Sequence, residues 1–100
     1  MGPWIVTADE IDPDNLRLLT RVNGVTKQDS NTSKLHFKIE RLIEELSLGM
    51  TLESGDVLAT GTPAGVGWPR NPPEFLQPGD ILESELVGIG CLRNQVAAVP

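Results

Sequence analysis

The sequence predicts a mainly β chain carrying a single α-helix. Three observations support that class. Asn15 to Val22 alternates apolar and polar residues and runs straight into Asn23-Gly24. One stretch, beginning at Ile39, repeats apolar residues at helical spacing. Glycines stand where short turns launch or join apolar runs.

The alternating run puts Leu16, Leu18, Thr20 and Val22 on one face and Arg17, Leu19 and Arg21 on the other. Asn-Gly after such a run signals a hairpin, because both residues tolerate the positive φ of a type I′ turn. Val25 to Gln28 is the expected returning strand. Farther on, Ile39, Leu42, Ile43 and Leu46 recur at i, i+3, i+4 and i+7, with Glu40, Arg41, Glu44 and Glu45 opposite them. This spacing predicts an amphipathic helix over 39–48 whose apolar stripe faces the core, with Gly49 supplying a left-handed C-cap.

Two segments echo each other, Leu52-Glu53-Ser54-Gly55-Asp56-Val57-Leu58 and Leu76-Gln77-Pro78-Gly79-Asp80-Ile81-Leu82. Each is read as a turn that launches a strand. Gly88-Ile89-Gly90 then separates Ile81–Val87 from Cys91–Val96 and reads as a tight hairpin. At the other end, Met1-Gly2-Pro3-Trp4-Ile5-Val6 enters a strand-like apolar stretch with almost no polar lead-in, as a segment from the middle of a larger unit would.

One hundred residues make one domain at most, and its core is expected to be thin. An apolar fraction of 39% with 22% charged residues argues against disorder. Fourteen acidic and eight basic residues give a net charge of −6, which repels phosphate backbones and anionic lipid, so neither nucleic acid nor a membrane is an expected partner. Cys91 has no second cysteine to pair with, and one Cys and one His, His36, cannot assemble a structural zinc site. A reducing, cytoplasmic compartment is the default. No apolar run reaches the ~18 residues of a membrane span.

Between the echoed turns lies Thr60-Gly61-Thr62-Pro63-Ala64-Gly65-Val66-Gly67-Trp68-Pro69, followed by Arg70-Asn71-Pro72-Pro73. An irregular loop this long is where binding chemistry tends to sit. Its small residues would let a ligand approach the backbone, its threonines offer hydroxyls, and successive N–H groups can cradle an anion. An elaborate structural turn explains the same residues equally well. No Gly-Lys-Ser/Thr follows, so it is not a Walker A loop, and the Pro-rich segment after it cannot open the helix of a dinucleotide fingerprint. Asp9, Glu10, Asp12 and Asp14 lack the glycine and spacing of a calcium loop and read as a solvated turn. His36 has no triad motif near it and is expected to be a packed or hydrogen-bonded bystander.

Several of these pieces occur in an order that carries more information than any one of them. Gly2-Pro3-Trp4-Ile5-Val6-Thr7 is followed by Val22-Asn23-Gly24, Gln28 and Asn31-Thr32-Ser33. The run from Thr51 to Gly67 comes next, then Pro78-Gly79-Asp80 and Leu92-Arg93-Asn94. Together they resemble the C-terminal part of the fumarylacetoacetate hydrolase family over nearly the whole chain.

The resemblance implies part of a mixed β-roll or sandwich catalytic domain that usually dimerises. It also implies a divalent metal, Mg2+ with Mn2+ or Ca2+ as alternatives, and small oxo-acid substrates. Family members hydrolyse acylpyruvates and fumarylacetoacetate, decarboxylate oxaloacetate, or isomerise and hydrate related dienoates, reactions in which a Lewis acid stabilises a developing enolate. In the family the metal carboxylates, the lid and the general base precede the Gly-Pro-Trp-Ile-Val segment. Residues 1–100 are therefore expected to form a partial catalytic domain with no catalytic residue and no metal ligand.

The family contact that carries over is the second threonine of the Gly-Thr-Pro loop, Thr62, whose hydroxyl helps bind substrate, accompanied by the backbone of Gly61. The sequence departs from the family at Leu35-His36, where a Met-Ile-like pair is common, and at Ser54, where Pro is common. These positions bear on lid packing and turn rigidity. The implied protein is a fragment of a metal-dependent hydrolase, decarboxylase or isomerase, inactive alone and associating as a homodimer or larger species. The alternative is a non-catalytic truncated module that self-associates or binds a partner.

Overall fold

A computed structural model describes residues 2–99. They form one antiparallel sheet and one helix: β1 (Arg17–Val22), β2 (Val25–Asn31), a short 3-10 turn (Thr32–Lys34), α1 (Ile39–Gly49), β3 (Ile81–Leu86) and β4 (Gly90–Gln95). The sheet order is β2-β1-β3-β4. The mainly β chain with one helix is thus the observed class, and among the described residues no helix follows residue 50.

The first hairpin closes as its turn chemistry requires. Val22 faces Val25, and Asn23 (φ 51°) and Gly24 (φ 78°) both occupy the left-handed region. β2 runs three residues beyond the expected Gln28, to Asn31. Arg17 holds Asp29 through Nε and Nη2 at 2.9 and 2.6 Å. Leu16 and Thr32 then finish the ladder, Thr32 N–H donating to Leu16 O and Leu16 N–H to Thr32 Oγ1, both at 2.8 Å. Between Thr20 and Arg21 the register slips, so that Lys27 bulges out of the pairing.

Asn23 does more than turn the chain. Its backbone N–H donates to Ile81 O, its side-chain oxygen accepts from Ile81 N–H, and its amide donates to Asp80 Oδ1, all within 2.8–2.9 Å. One residue therefore pins the first hairpin to the start of β3. The amides of Gln77 and Asn23 donate to the Asp80 carboxylate and hold its pKa below the ordinary range.

Directly opposed residues share a face of the sheet. Leu18, Val22, Leu82, Leu86 and Leu92 lie on one side. The other side carries the ion pairs Arg17–Asp29, Arg21–Glu85 and Arg93–Glu83. The apolar side receives the loops. Trp4 crosses the second hairpin, its indole N–H donating to Ile89 O at 2.8 Å and its ring lying where any Cβ on Gly90 would collide, at 2.9 Å.

The echoed segments have the same local geometry. Asp56 N–H donates to Glu53 O and Glu53 N–H to Asp56 Oδ2. Asp80 N–H donates to Gln77 O and Gln77 N–H to Asp80 Oδ2. Gly55 and Gly79 have φ of 101° and 97°. Only the second turn launches a strand, however, because Ile81 onward meets β1. Val57 and Leu58 remain outside the sheet, with Val57 67% exposed.

Three further expectations are corrected. Ile5-Val6 forms no strand, and Met1 lies outside the described residues. Gly49 is the last helical residue, not a left-handed cap; Met50, extended at φ −146°, closes the helix by donating to Leu46 O. The apolar stripe of α1 is not buried in a core: no side chain among the described residues is buried, and Ile43 is 45% exposed.

The accessible surface is 7696 Å², whereas a compact monomer of 10.8 kDa exposes roughly 5,500 Å². The radius of gyration, 15.7 Å, exceeds the ~13 Å expected for 100 residues. The chain therefore shows about 2,000 Å² more surface than a self-sufficient domain of its size, an excess on the scale of a large protein–protein interface. Trp68, Ile5 and Leu48 are among the apolar side chains left in water. Expressed alone, the chain is expected to sediment as a dimer or larger species. A well-folded monomer at high concentration, with no binding of a hydrophobic dye, would contradict that.

Asn23→Ala is expected to cost about 2–3 kcal/mol in urea unfolding, from two lost side-chain hydrogen bonds and an Ala forced into the left-handed region. Asn23→Gly keeps the turn and should cost about half of that. Equal losses would mean that the left-handed conformation adds nothing, and a silent Asn23→Gly that the side-chain bonds to Asp80 and Ile81 contribute nothing.

Candidate functional site

The 60–73 loop has neither helix nor strand, as expected, yet it is tied down at several points. The bulge at Lys27 turns that residue's carbonyl out of the β1–β2 ladder. Arg70 occupies the position this opens, its Nη2 donating to Lys27 O and Gly65 O at 3.0 Å each. Gly65 lies so close to the bulge that a Cβ there would stand 2.1 Å from Lys27 O, and its φ is 108°. Gly67 approaches Glu74 in the same way, with a Cβ position 2.0 Å from Glu74 O, and its own carbonyl accepts from the N–H groups of Arg70 and Glu74.

The Glu74 carboxylate sits between Lys27 Nζ, at 2.6 Å, and Arg70 Nη1, at 3.5 Å. The hydrogen bond from Lys27, aided by the charge of Arg70 and opposed by partial desolvation, holds its pKa below the ordinary range. The loop glycines thus serve chiefly the chain's own backbone contacts. Gly61 differs: it has φ of 94°, and a Cβ at this position would meet no atom within 4 Å, so its backbone faces open space.

Thr62 stands beside it. Its Oγ1 accepts from Gln28 Nε2 at 2.9 Å, and the same nitrogen donates to Pro63 O at 2.9 Å. Two hollows meet at Thr62. The larger, about 560 Å³, lies between the sheet and the loop. Its charged groups are engaged: Lys27 and Arg70 with Glu74, and Asp80 with Gln77 and Asn23. What remains is mostly apolar, including Val22, Val66, Phe75, Leu76 and Leu82. This is unfilled packing space and a poor anion site.

The smaller hollow, about 310 Å³, is lined by Thr60, Gly61 and Thr62 facing Asn31, Lys34 and His36. Lys34 forms no salt bridge among the described residues, its charge acting at longer range on Asp29. The smaller hollow is therefore the better candidate site despite its size. His36, expected to be a bystander, lines it with its ring edge-on to Phe37 at 4.6 Å.

The sequence reading assigned Thr62 and Gly61 to substrate binding, and both line the smaller hollow. It gave Gln28 no role and passed over Arg70 and Lys34. Gln28 could have been suspected from its place in the ordered motifs, but nothing in the residues themselves announces the bulge at Lys27. Asp9, Glu10, Asp12 and Asp14 form consecutive turns, with Glu10 N–H on Thr7 O and Asn15 N–H on Asp12 O. Among the described residues no three His, Cys, Asp or Glu side chains come together as a metal site.

Residues 1–97 match the family model for the C-terminal domain of fumarylacetoacetate (FAA) hydrolase. A fumarylacetoacetate hydrolase from psychrophilic Exiguobacterium antarcticum superposes with a TM-score of 0.94 at 49% identity, over 98% of this chain and 35% of that one. A 5-carboxymethyl-2-hydroxymuconate delta-isomerase from Mycobacterium smegmatis gives 0.83 at 47% identity, over 96% of this chain and 35% of the other. Maleylpyruvate hydrolase from Sphingobium sp. SYK-6, solved in complex with manganese(II) ion and pyruvate, gives 0.85 at 38% identity, over 96% and 34%. The chain spans about a third of the length of the curated relatives it matches.

The two kinds of loop glycine predict different sensitivities. Gly65→Ala must displace the bulge carbonyl as well as adopt a left-handed φ, and is expected to cost roughly 3 kcal/mol or more, with rapid proteolysis inside 60–73. Gly61→Ala meets no atom and should cost only about 1 kcal/mol. Comparable proteolysis of the two variants would show that the Lys27–Gly65 approach is not what holds the loop.

Proposed function

The chain belongs to the fumarylacetoacetate hydrolase family, and from that premise we propose that it supplies the loop side of an active site acting on small oxo-acids. The observation that carries this reading is that Thr62, Gly61 with its open backbone, and Lys34 line one hollow of about 310 Å³. That set suits an anionic substrate with carboxylate and keto oxygens: Thr62 donates to one oxygen, the exposed backbone lets the ligand come close, and Lys34 supplies a positive field.

Hydrolase and isomerase relatives support the substrate class. Hydrolysis, decarboxylation and isomerisation of oxo-acids are the reactions among which a complete protein would choose. The divalent cation of the family reading, Mg2+ or Mn2+, finds no donor set among the described residues, and no step through it is assigned to them. Metal ligands and the general base are proposed to come from the part of the relatives that this chain does not match. The compartment proposed is the cytoplasm, and the assembly a homodimer or larger.

The surplus surface gives a second reading, a non-catalytic module whose apolar face is covered by a partner. A graft separates the two. When this chain replaces the segment it matches in the Exiguobacterium protein, the completed chain should turn over an acylpyruvate or dienoate substrate with Mn2+ or Mg2+, and the 100-residue chain alone should not. A folded but inactive graft would favour the module.

In the graft, Thr62→Val removes the hydroxyl at nearly constant volume and is expected to cost on the order of 1–3 kcal/mol of transition-state binding. That is roughly a 5- to 150-fold fall in kcat/KM with melting unchanged. Wild-type kinetics, or a loss that merely tracks unfolded protein, would remove Thr62 from the site.

A further inference from the structure

The hydrogen bonds around Thr62 specify which way its hydroxyl proton can point. Gln28 sits on β2 next to the bulged Lys27 and opposite Thr20, on the face of the sheet turned toward the loop. Its side-chain nitrogen lies 2.9 Å from both Thr62 Oγ1 and Pro63 O. The proline carbonyl can only accept, so the amide must present its NH2 end to the loop; the reverse orientation would set two oxygens against each other. The NH2 group has two protons and two acceptors. One goes to Pro63 O, the other to Thr62 Oγ1.

Thr62 is therefore an acceptor from Gln28, and its own proton is left to donate elsewhere. A carboxylate or keto oxygen is acceptor-only and requires such a donor. Without Gln28, the nearby carbonyls become competing acceptors and the hydroxyl can rotate toward the protein.

We propose that Gln28 is a positioning residue that holds the Thr62 hydroxyl as a hydrogen-bond donor to the bound oxo-acid. This rests on the reading of Thr62 as a substrate contact. The bulge contributes to the arrangement. It lets Lys27 hold the loop through Arg70 while Gln28, the next residue, keeps its side chain on the loop-facing side.

The first test uses the chain itself. In NMR spectra the two Gln28 side-chain amide protons should both exchange more slowly than those of a free glutamine amide, and Thr62→Val should shift and speed one while leaving the other bonded to Pro63. Protons that exchange as fast as those of a free glutamine amide, or that ignore Thr62→Val, would overturn the geometry.

The second test uses the completed graft with Mn2+, measuring kcat/KM, melting temperature and pyruvate affinity for Gln28→Met, Thr62→Val and the double variant. Gln28→Met keeps the length of the side chain and removes its donors. Its expected effect is roughly a 5- to 50-fold loss in kcat/KM and weaker pyruvate binding at unchanged melting temperature. In the Thr62→Val background it should cost less than about a further twofold, since there is no hydroxyl left to position. Thr62→Ser, which keeps the hydroxyl, should restore the dependence on Gln28.

If Thr62→Val lowers kcat/KM while Gln28→Met does not, or if the two losses multiply, Gln28 does not act through Thr62. If Thr62→Val is itself silent, the substrate-contact reading fails and this inference with it. Should Gln28→Met fail to fold, Gln28→Glu replaces it: its carboxylate would accept the Thr62 proton, and a loss smaller than that of Thr62→Val overturns the proposal.

Discussion

The guanidinium of Arg70 donates to two carbonyls, one on the sheet at Lys27 and one on the loop at Gly65, and the placement of Thr62 and Gly61 depends on that bridge. Lys27 O is available because a bulge takes it out of the ladder. Gly65 can approach because it has no Cβ. With the loop held there, Thr62 and Pro63 come within reach of Gln28, and Gly61 is left facing an open hollow. A hydrogen bond from a charged donor is stronger than one between neutral groups. Its geometry also resists substitution by Lys, which lacks the rigid fork.

Order in this chain comes from backbone hydrogen bonds and local side-chain devices far more than from a core. The turns at Gly55 and Gly79, the Asn23 clamp and the Arg17–Asp29 pair are each satisfied within the described residues. The apolar groups are not: the sheet's leucines, the stripe of α1 and the Trp68–Phe75 pair all meet water. Hydrophobic burial is the dominant favourable contribution to folding. Polar devices specify the arrangement, and burial within the described residues is slight. This agrees with a chain that spans about a third of its relatives.

The same division describes the candidate site. One wall is built, formed by Thr62, the open backbone of Gly61, and Lys34. An active site for oxo-acid chemistry needs groups that answer the charge developing in the transition state on more than one side. Thr62 is held in place by Gln28, a contact inside the chain.

The sequence by itself determined the features whose causes lie within a few consecutive residues. The alternation of 16–22 gave β1 its faces, Asn23-Gly24 gave the hairpin, and the spacing from Ile39 gave α1. The Gly-Asp turns were legible because a glycine and an aspartate three residues from an N–H suffice to build them. Thr62 and Gly61 were marked as candidate site residues through the order of motifs, which is a resemblance and not a physical derivation.

Tertiary structure decided the rest. Val57-Leu58 and Ile81-Leu82 follow near-identical turns, yet only the second pair is strand, because a strand exists only where a partner offers its N–H and C=O groups. Arg70 lies 43 residues from the carbonyl it binds. That carbonyl is backbone, which any residue could supply, and it is exposed only because the β1–β2 register slips by one at Lys27. No side-chain pattern encodes such a contact, since it depends on where two distant stretches of main chain come to rest.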